Sequence, residues 1–131
     1  MQKSKSLMIL VVSVILFIFS ISVLATDASY SDTAPGLVDK TLATGKKSTN
    51  SWSASHRLNS TSDTGFRCWI DHKNSAGNWA TVTGYLDIIN NGQTYFMNYS
   101  ALPAVDSDVR LRAGANLYTG GKNINGYINF N

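Results

Sequence analysis

Apolar residues follow two patterns along this chain. Leu7 to Leu24 is an unbroken apolar run, LMILVVSVILFIFSISVL, with serine as its only polar residue. From Trp52 onward, apolar and polar positions alternate. Trp52, Ala54, His56 and Leu58 fall on one side, with Ser51, Ser53, Ser55 and Arg57 on the other. Phe66, Cys68 and Ile70 oppose Arg67, Trp69 and Asp71 in the same way. A period of two marks strands with one buried face. Trp79 to Ile89 reads as one long strand with Ala80, Val82, Gly84, Leu86 and Ile88 on one side, Gly84 marking either a bulge or a close backbone approach. Thr94 to Tyr99, Val109 to Ala115 and Ile124 to Phe130 complete six strands.

Turn residues punctuate these segments: Ser60 to Gly65, Asn74 to Asn78, Asn90-Asn91-Gly92-Gln93 and Gly120-Gly121. Asn91-Gly92 tolerates the positive φ angles of a type I′ turn, so the pattern predicts a hairpin that returns Thr94 to Tyr99 against the long strand. The expected fold is all-β, a small antiparallel β-sandwich or barrel of about six strands over residues 51–131. Residues 26–50 are polar and carry Pro35, Gly36 and Gly45; they read as a flexible polar arm with a short strand at Leu37 to Leu42.

The apolar run changes the picture of where the domain works. Lys3 and Lys5 precede it and Val23-Leu24-Ala25 follows, the order of a secretory signal peptide over residues 1–25. An uncleaved N-terminal membrane anchor is the rival reading, because the run is just long enough to span a bilayer. Removing residues 1–25 leaves nine Lys and Arg against eight Asp, a net charge of +1. That balance gives no electrostatic case for nucleic acid. The expected location is extracellular, with no membrane contact after cleavage.

Cys68 is the only cysteine, so no internal disulfide can form and stability must come from the apolar core. Alternation places Cys68 inside; a reactive thiol or an intermolecular bridge is the other reading. Candidate chemistry is sparse. His56, His72 and an Asp make a zinc set on paper, without any short ligand motif. Asp106-Ser107-Asp108 offers oxygen ligands but lacks the glycine and downstream Glu of the helical calcium loop, and reads as a solvated turn. No G-x-S-x-G elbow occurs and no pair of Asp residues stands out, so no enzyme activity and no cofactor are expected.

The outward side of the Phe66–Asp71 strand is the more informative place. Trp69 points away from the core residues, flanked by Arg67 and Asp71. Arg110 and Arg112 point away from Val109 and Leu111. On one sheet these five residues would form an aromatic platform with a basic rim, a surface for a protein or a glycan. The alternatives are that the sandwich has a second covered face, that the arm of residues 26–50 covers Trp69, and that the arginines are simply solvated.

Three stretches, Thr64-Gly65-Phe66-Arg67, Val109-Arg110-Leu111-Arg112 and Ile124-Asn125-Gly126-Tyr127-Ile128-Asn129-Phe130, resemble small secreted single-domain proteins of Gram-positive bacteria of unassigned function. The layout is more loosely similar to secreted β-sandwich bacteriocins. Neither resemblance carries functional residues over. The leading expectation is a secreted, non-enzymatic β-domain that binds a protein or glycan at the cell surface. A bacteriocin or toxin-like protein acting on other cells' envelopes, and a small hydrolase, are the alternatives.

Overall fold

The computed structural model describes residues 27–35, 38–59, 66–88, 92–114 and 123–131. The apolar run and the cleavage site expected after it, the turns expected at Ser60 to Gly65 and Gly120-Gly121, and Asn90-Asn91 of the third turn lie outside the described residues.

The strands are β1 (Ala28–Thr33), β2 (Lys40–Lys46), β3 (Ser53–Leu58), β4 (Phe66–Lys73), β5 (Trp79–Thr81), β6 (Leu86–Ile88), β7 (Thr94–Asn98), β8 (Asp108–Gly114) and β9 (Asn123–Asn129). They form two antiparallel sheets. Sheet A has the order β1-β9-β3-β7; sheet B has the order β2-β8-β4-β5, with β6 also paired to β4. The core lies between them and includes Leu58, Phe66, Ile70, Ile88, Leu111, Ile124 and Ile128, all buried. The all-β, sandwich-like class is as the alternation predicts, but there are nine described strands where six were expected.

The differences have physical causes. The segment expected to be an arm supplies β1 and β2, one edge strand for each sheet. Their outward residues are polar, and few inward ones are large, so the period is faint in the sequence. Among the segment's described residues, the apolar positions that bury are Tyr30, Ala34, Pro35 and Ala43. The short strand expected at Leu37 to Leu42 lies further on, at Lys40–Lys46. Lys47, just beyond β2, is fully buried. Its Nζ donates to the carbonyls of Thr49 and Ser51 at 2.5 and 2.9 Å and sits 5.0 Å from the Tyr99 ring centre. Burial holds its pKa below the usual lysine value.

The long strand expected from Trp79 to Ile89 is broken. Asp71 pairs with Thr81 and Cys68 with Leu86, so three steps along β4 face five along its neighbour. The chain bulges out over residues 82–85, where Gly84 marked an irregularity. The Thr83 hydroxyl fills the gap in the ladder by accepting from the Ile70 N–H at 2.9 Å. The expected hairpin does not form. Gly92 has the positive φ that Asn-Gly foretells, +74°. Yet β6 belongs to sheet B, and β7 pairs with β3 in sheet A. Consecutive strands β6 and β7 therefore lie in different sheets.

Close approaches of aromatic rings to glycines set the packing. Tyr30 on the edge strand β1 leans across Gly126 of β9 to reach His56 on β3. A Cβ built on Gly126 would lie 2.6 Å from the Tyr30 hydroxyl. Phe130 covers Gly45 in the same manner.

The Tyr30 hydroxyl and His56 Nε2 are 2.7 Å apart, both buried. When Tyr30 donates to Nε2, the imidazole N–H sits on Nδ1, 3.8 Å from Cys68 Sγ. This chain of polar groups joins the two sheets at the centre of the core. Burial lowers the His56 pKa to about 4, and raises the Tyr30 and Cys68 values. The unfolded chain protonates His56 near pH 6.5. Between those values the unfolded state binds the extra proton. The stability contributed by neutral His56 is complete above pH 6.5 and is lost as the pH falls towards 4, by about 3 kcal/mol. Urea unfolding at successive pH values should show this slope, and His56→Gln should flatten it. A wild-type protein with constant stability over that window would contradict the buried, neutral imidazole.

The two outer faces differ sharply. Sheet B presents the cations Lys46, Arg67, Lys73, Arg110 and Arg112 against Asp71, Asp87 and Asp108. Sheet A presents Ser, Thr and Asn: Ser29, Ser31 and Thr33 on β1, Asn123, Asn125 and Asn129 on β9, Ser53 and Ser55 on β3, Thr94 and Asn98 on β7. Tyr127, Phe96 and a single charge, Arg57, complete it.

Candidate functional site

β4 and β8 are neighbours in sheet B, so the two outward sets read from the sequence meet. Trp69 pairs with Arg112 and Asp71 with Arg110, while Arg67 stands opposite Gly114. All five expected residues share one face. They are not, however, equally exposed.

Trp69 is buried, 7% exposed, although it points away from the core cluster. Four neighbours surround it. Gly114 has no side chain, so the indole lies down on the β8 backbone; a Cβ there would be 2.9 Å from the ring. Asp39 closes on the same spot, 2.8 Å from that Cβ position. Tyr85, in the bulge between β5 and β6, packs edge-on with ring centres 5.2 Å apart. Arg112 sits 6.0 Å from the indole centre. The expectation of an exposed Trp69 platform is therefore corrected: Trp69 is the floor of this face. The exposed ring is Tyr85, at 66%.

The charged residues are cross-braced. Arg110 donates from Nε and Nη2 to one oxygen of Asp71, at 3.1 and 2.9 Å. Thr81 Oγ1 donates to the other oxygen at 2.9 Å, and the Arg112 Nε lies 3.9 Å from the first. The Arg110 guanidinium also lies over Trp79, 4.2 Å from the ring centre. Arg112 donates to Thr41 on β2 at 3.0 Å. Asp71 is buried, and such a carboxylate is tolerable only with these partners. Arg110 and Arg112 are thus mostly held within the face, about a fifth exposed, and not free to form the basic rim expected of them. Arg67 is the exception. It is half exposed, pairs with Asp87 through bonds of 2.9 and 3.2 Å, and lies 5.9 Å from the Tyr85 ring centre. Its guanidinium holds the Asp87 carboxyl below the usual carboxylate range. Because that pair is exposed, it contributes little stability.

The outward side of sheet B is thus layered. Trp69, Asp71, Arg110 and Arg112 form a braced floor, and Tyr85 and Arg67 stand on it. The alternation identified the floor and set Tyr85 opposite Gly84 and Leu86, but its place over Trp69 comes from the irregular bulge, which the sequence pattern does not describe. Past the other end of the face, between residues 74–77 and 104–108, is an open cleft of about 660 Å³. Lys46, His72, Lys73, Asp106 and Asp108 line it. Asp106 adopts a left-handed backbone, φ 66°, as a turn residue of its type can. Among the described residues, no three His, Cys, Asp or Glu side chains are grouped to hold a metal ion. His56 and Cys68, an adjacent base and thiol, are fully buried, so substrate cannot reach them in this state.

No protein-family model, curated protein or solved structure matches this chain.

Proposed function

We propose that this is a secreted β-sandwich that works by binding, without catalysis, a protein or a glycan at the cell surface. The leading observation is Tyr85: a large ring, two-thirds exposed, braced on Trp69 and flanked by the half-exposed Arg67. An aromatic held by a rigid floor contributes contact area at little entropic cost, and tyrosine and arginine dominate binding hot spots. Export is the reading of Leu7 to Leu24 between Lys5 and Ala25. The binding surface is accordingly moved from Trp69 to the residues above it, with Asp71, Arg110 and Arg112 as its support.

Attachment of the purified protein to intact Gram-positive cells tests this. Tyr85→Ala with Arg67→Ala should lower attachment at least about tenfold, the loss of a modest hot spot, while the melting temperature falls by only a few degrees. Unchanged attachment would remove sheet B from the function.

A further inference from the structure

We infer that the outer face of sheet A is a second binding surface, for an extended, uncharged polysaccharide. The two faces of one sandwich serve as each other's control. The outer face of sheet B presents eight charged residues; that of the sheet A strands presents one, Arg57, since Asp32 of β1 takes the inward side with Ile124 and pairs with Lys40. Protein surfaces ordinarily carry about 25–35% charged residues, so a whole four-stranded face almost without them is unusual. Its charge excludes polyanions, which need rows of Lys and Arg, and gives a polycation nothing to pair with.

What the face offers instead is hydroxyl and amide groups, each able both to donate and to accept. They stand on a regular grid, about 4.8 Å apart across strands and about 6.7 Å apart along them. Register places Ser31 beside Asn125, and Ser55 between Asn129 and Phe96. The side chains of Ser31 and Asn125 are exposed and that of Ser55 is half-buried. Such short side chains lose little rotamer entropy when a ligand fixes them. A ligand that matches this grid must carry donors and acceptors along its whole length and no charge, which describes a neutral glycan. Phe96 stands out from the same face at 69% exposure, and Tyr127 is half-buried two strands away. These rings give the apolar faces of sugar residues something to lie on. A chain running across the strands is the shape that matches such a grid. This inference does not depend on the sheet B reading, and separate residues carry the two.

The test is retention of the purified protein on three insoluble neutral polymers: β-1,4-glucan, β-1,3-glucan and β-1,4-linked N-acetylglucosamine. Retention is expected on at least one of them. It should be the same at about 0.05 and about 0.5 M salt, because screening has no charge pairs to weaken. Phe96→Ser and Ser55→Asp should each lower it at least about tenfold, with melting temperatures near wild type, since both side chains lie on the outer face. Tyr85→Ala should leave it unchanged. Three results would each overturn the proposal: no retention on any polymer, retention that disappears with salt, and retention that survives both sheet A variants. Loss with Tyr85→Ala alone would place the glycan on sheet B and equally overturn it.

Discussion

Gly126→Ala should destabilise the protein by more than about 3 kcal/mol, at the severe end for a single substitution. The added methyl would sit 2.2 Å from the Arg57 carbonyl oxygen, on the paired strand β3. It would also meet the Tyr30 ring at 2.9 Å and its hydroxyl at 2.6 Å. The first contact is with backbone and cannot be relieved by a rotamer change, so β3 and β9 must separate. The second pushes Tyr30 off His56, leaving a buried imidazole without its partner. For a domain stable by about 5–15 kcal/mol, this removes a large part of the total, and Gly126→Val should leave little folded protein. Urea unfolding of Gly126→Ala measures it. Adding Tyr30→Leu should not restore stability, because the backbone contact remains. A near-native Gly126→Ala protein would mean that Tyr30 does not cross the strand there.

That glycine also shows what the sequence can express. The alternation of Ile124, Gly126, Ile128 and Phe130 identifies an inward face, and the structure places all four inside. Alternation likewise puts Arg67, Trp69 and Asp71 on one side and Arg110 and Arg112 on the matching side of another strand, and β4 pairs with β8 so that they meet. Period reports which side a residue takes; it does not report depth. Trp69 is buried because Gly114, Asp39 and Tyr85, far away in sequence, converge on it. Local turn chemistry has the same limit. Asn91-Gly92 foretells the backbone angle of Gly92, but partner choice is a tertiary matter, and β7 finds β3. The edge strands β1 and β2 were hidden because polar residues cover the outward side of β1 and because β2 buries only small groups. The uncharged face of sheet A was visible only in part, as Ser and Asn opposite the inward residues of two strands. Its extent needed the strand order.

The outer side of sheet B is layered, with Trp69 beneath and Tyr85 above. Truncating a buried Trp typically costs about 3–5 kcal/mol, from lost burial and from the cavity left behind. Trp69→Ala should fall in that range, because Gly114 on one side and Tyr85 on the other hold the space open and the backbone cannot collapse into it. Tyr85→Ala removes a mostly exposed ring and should cost less than about 1 kcal/mol. Urea unfolding of the two variants side by side is the direct measurement. Trp69→Ala should show a severe loss and Tyr85→Ala a minor one. A Trp69→Ala protein as stable as wild type would contradict that layering, returning the indole to the solvent-exposed platform that alternation alone suggests.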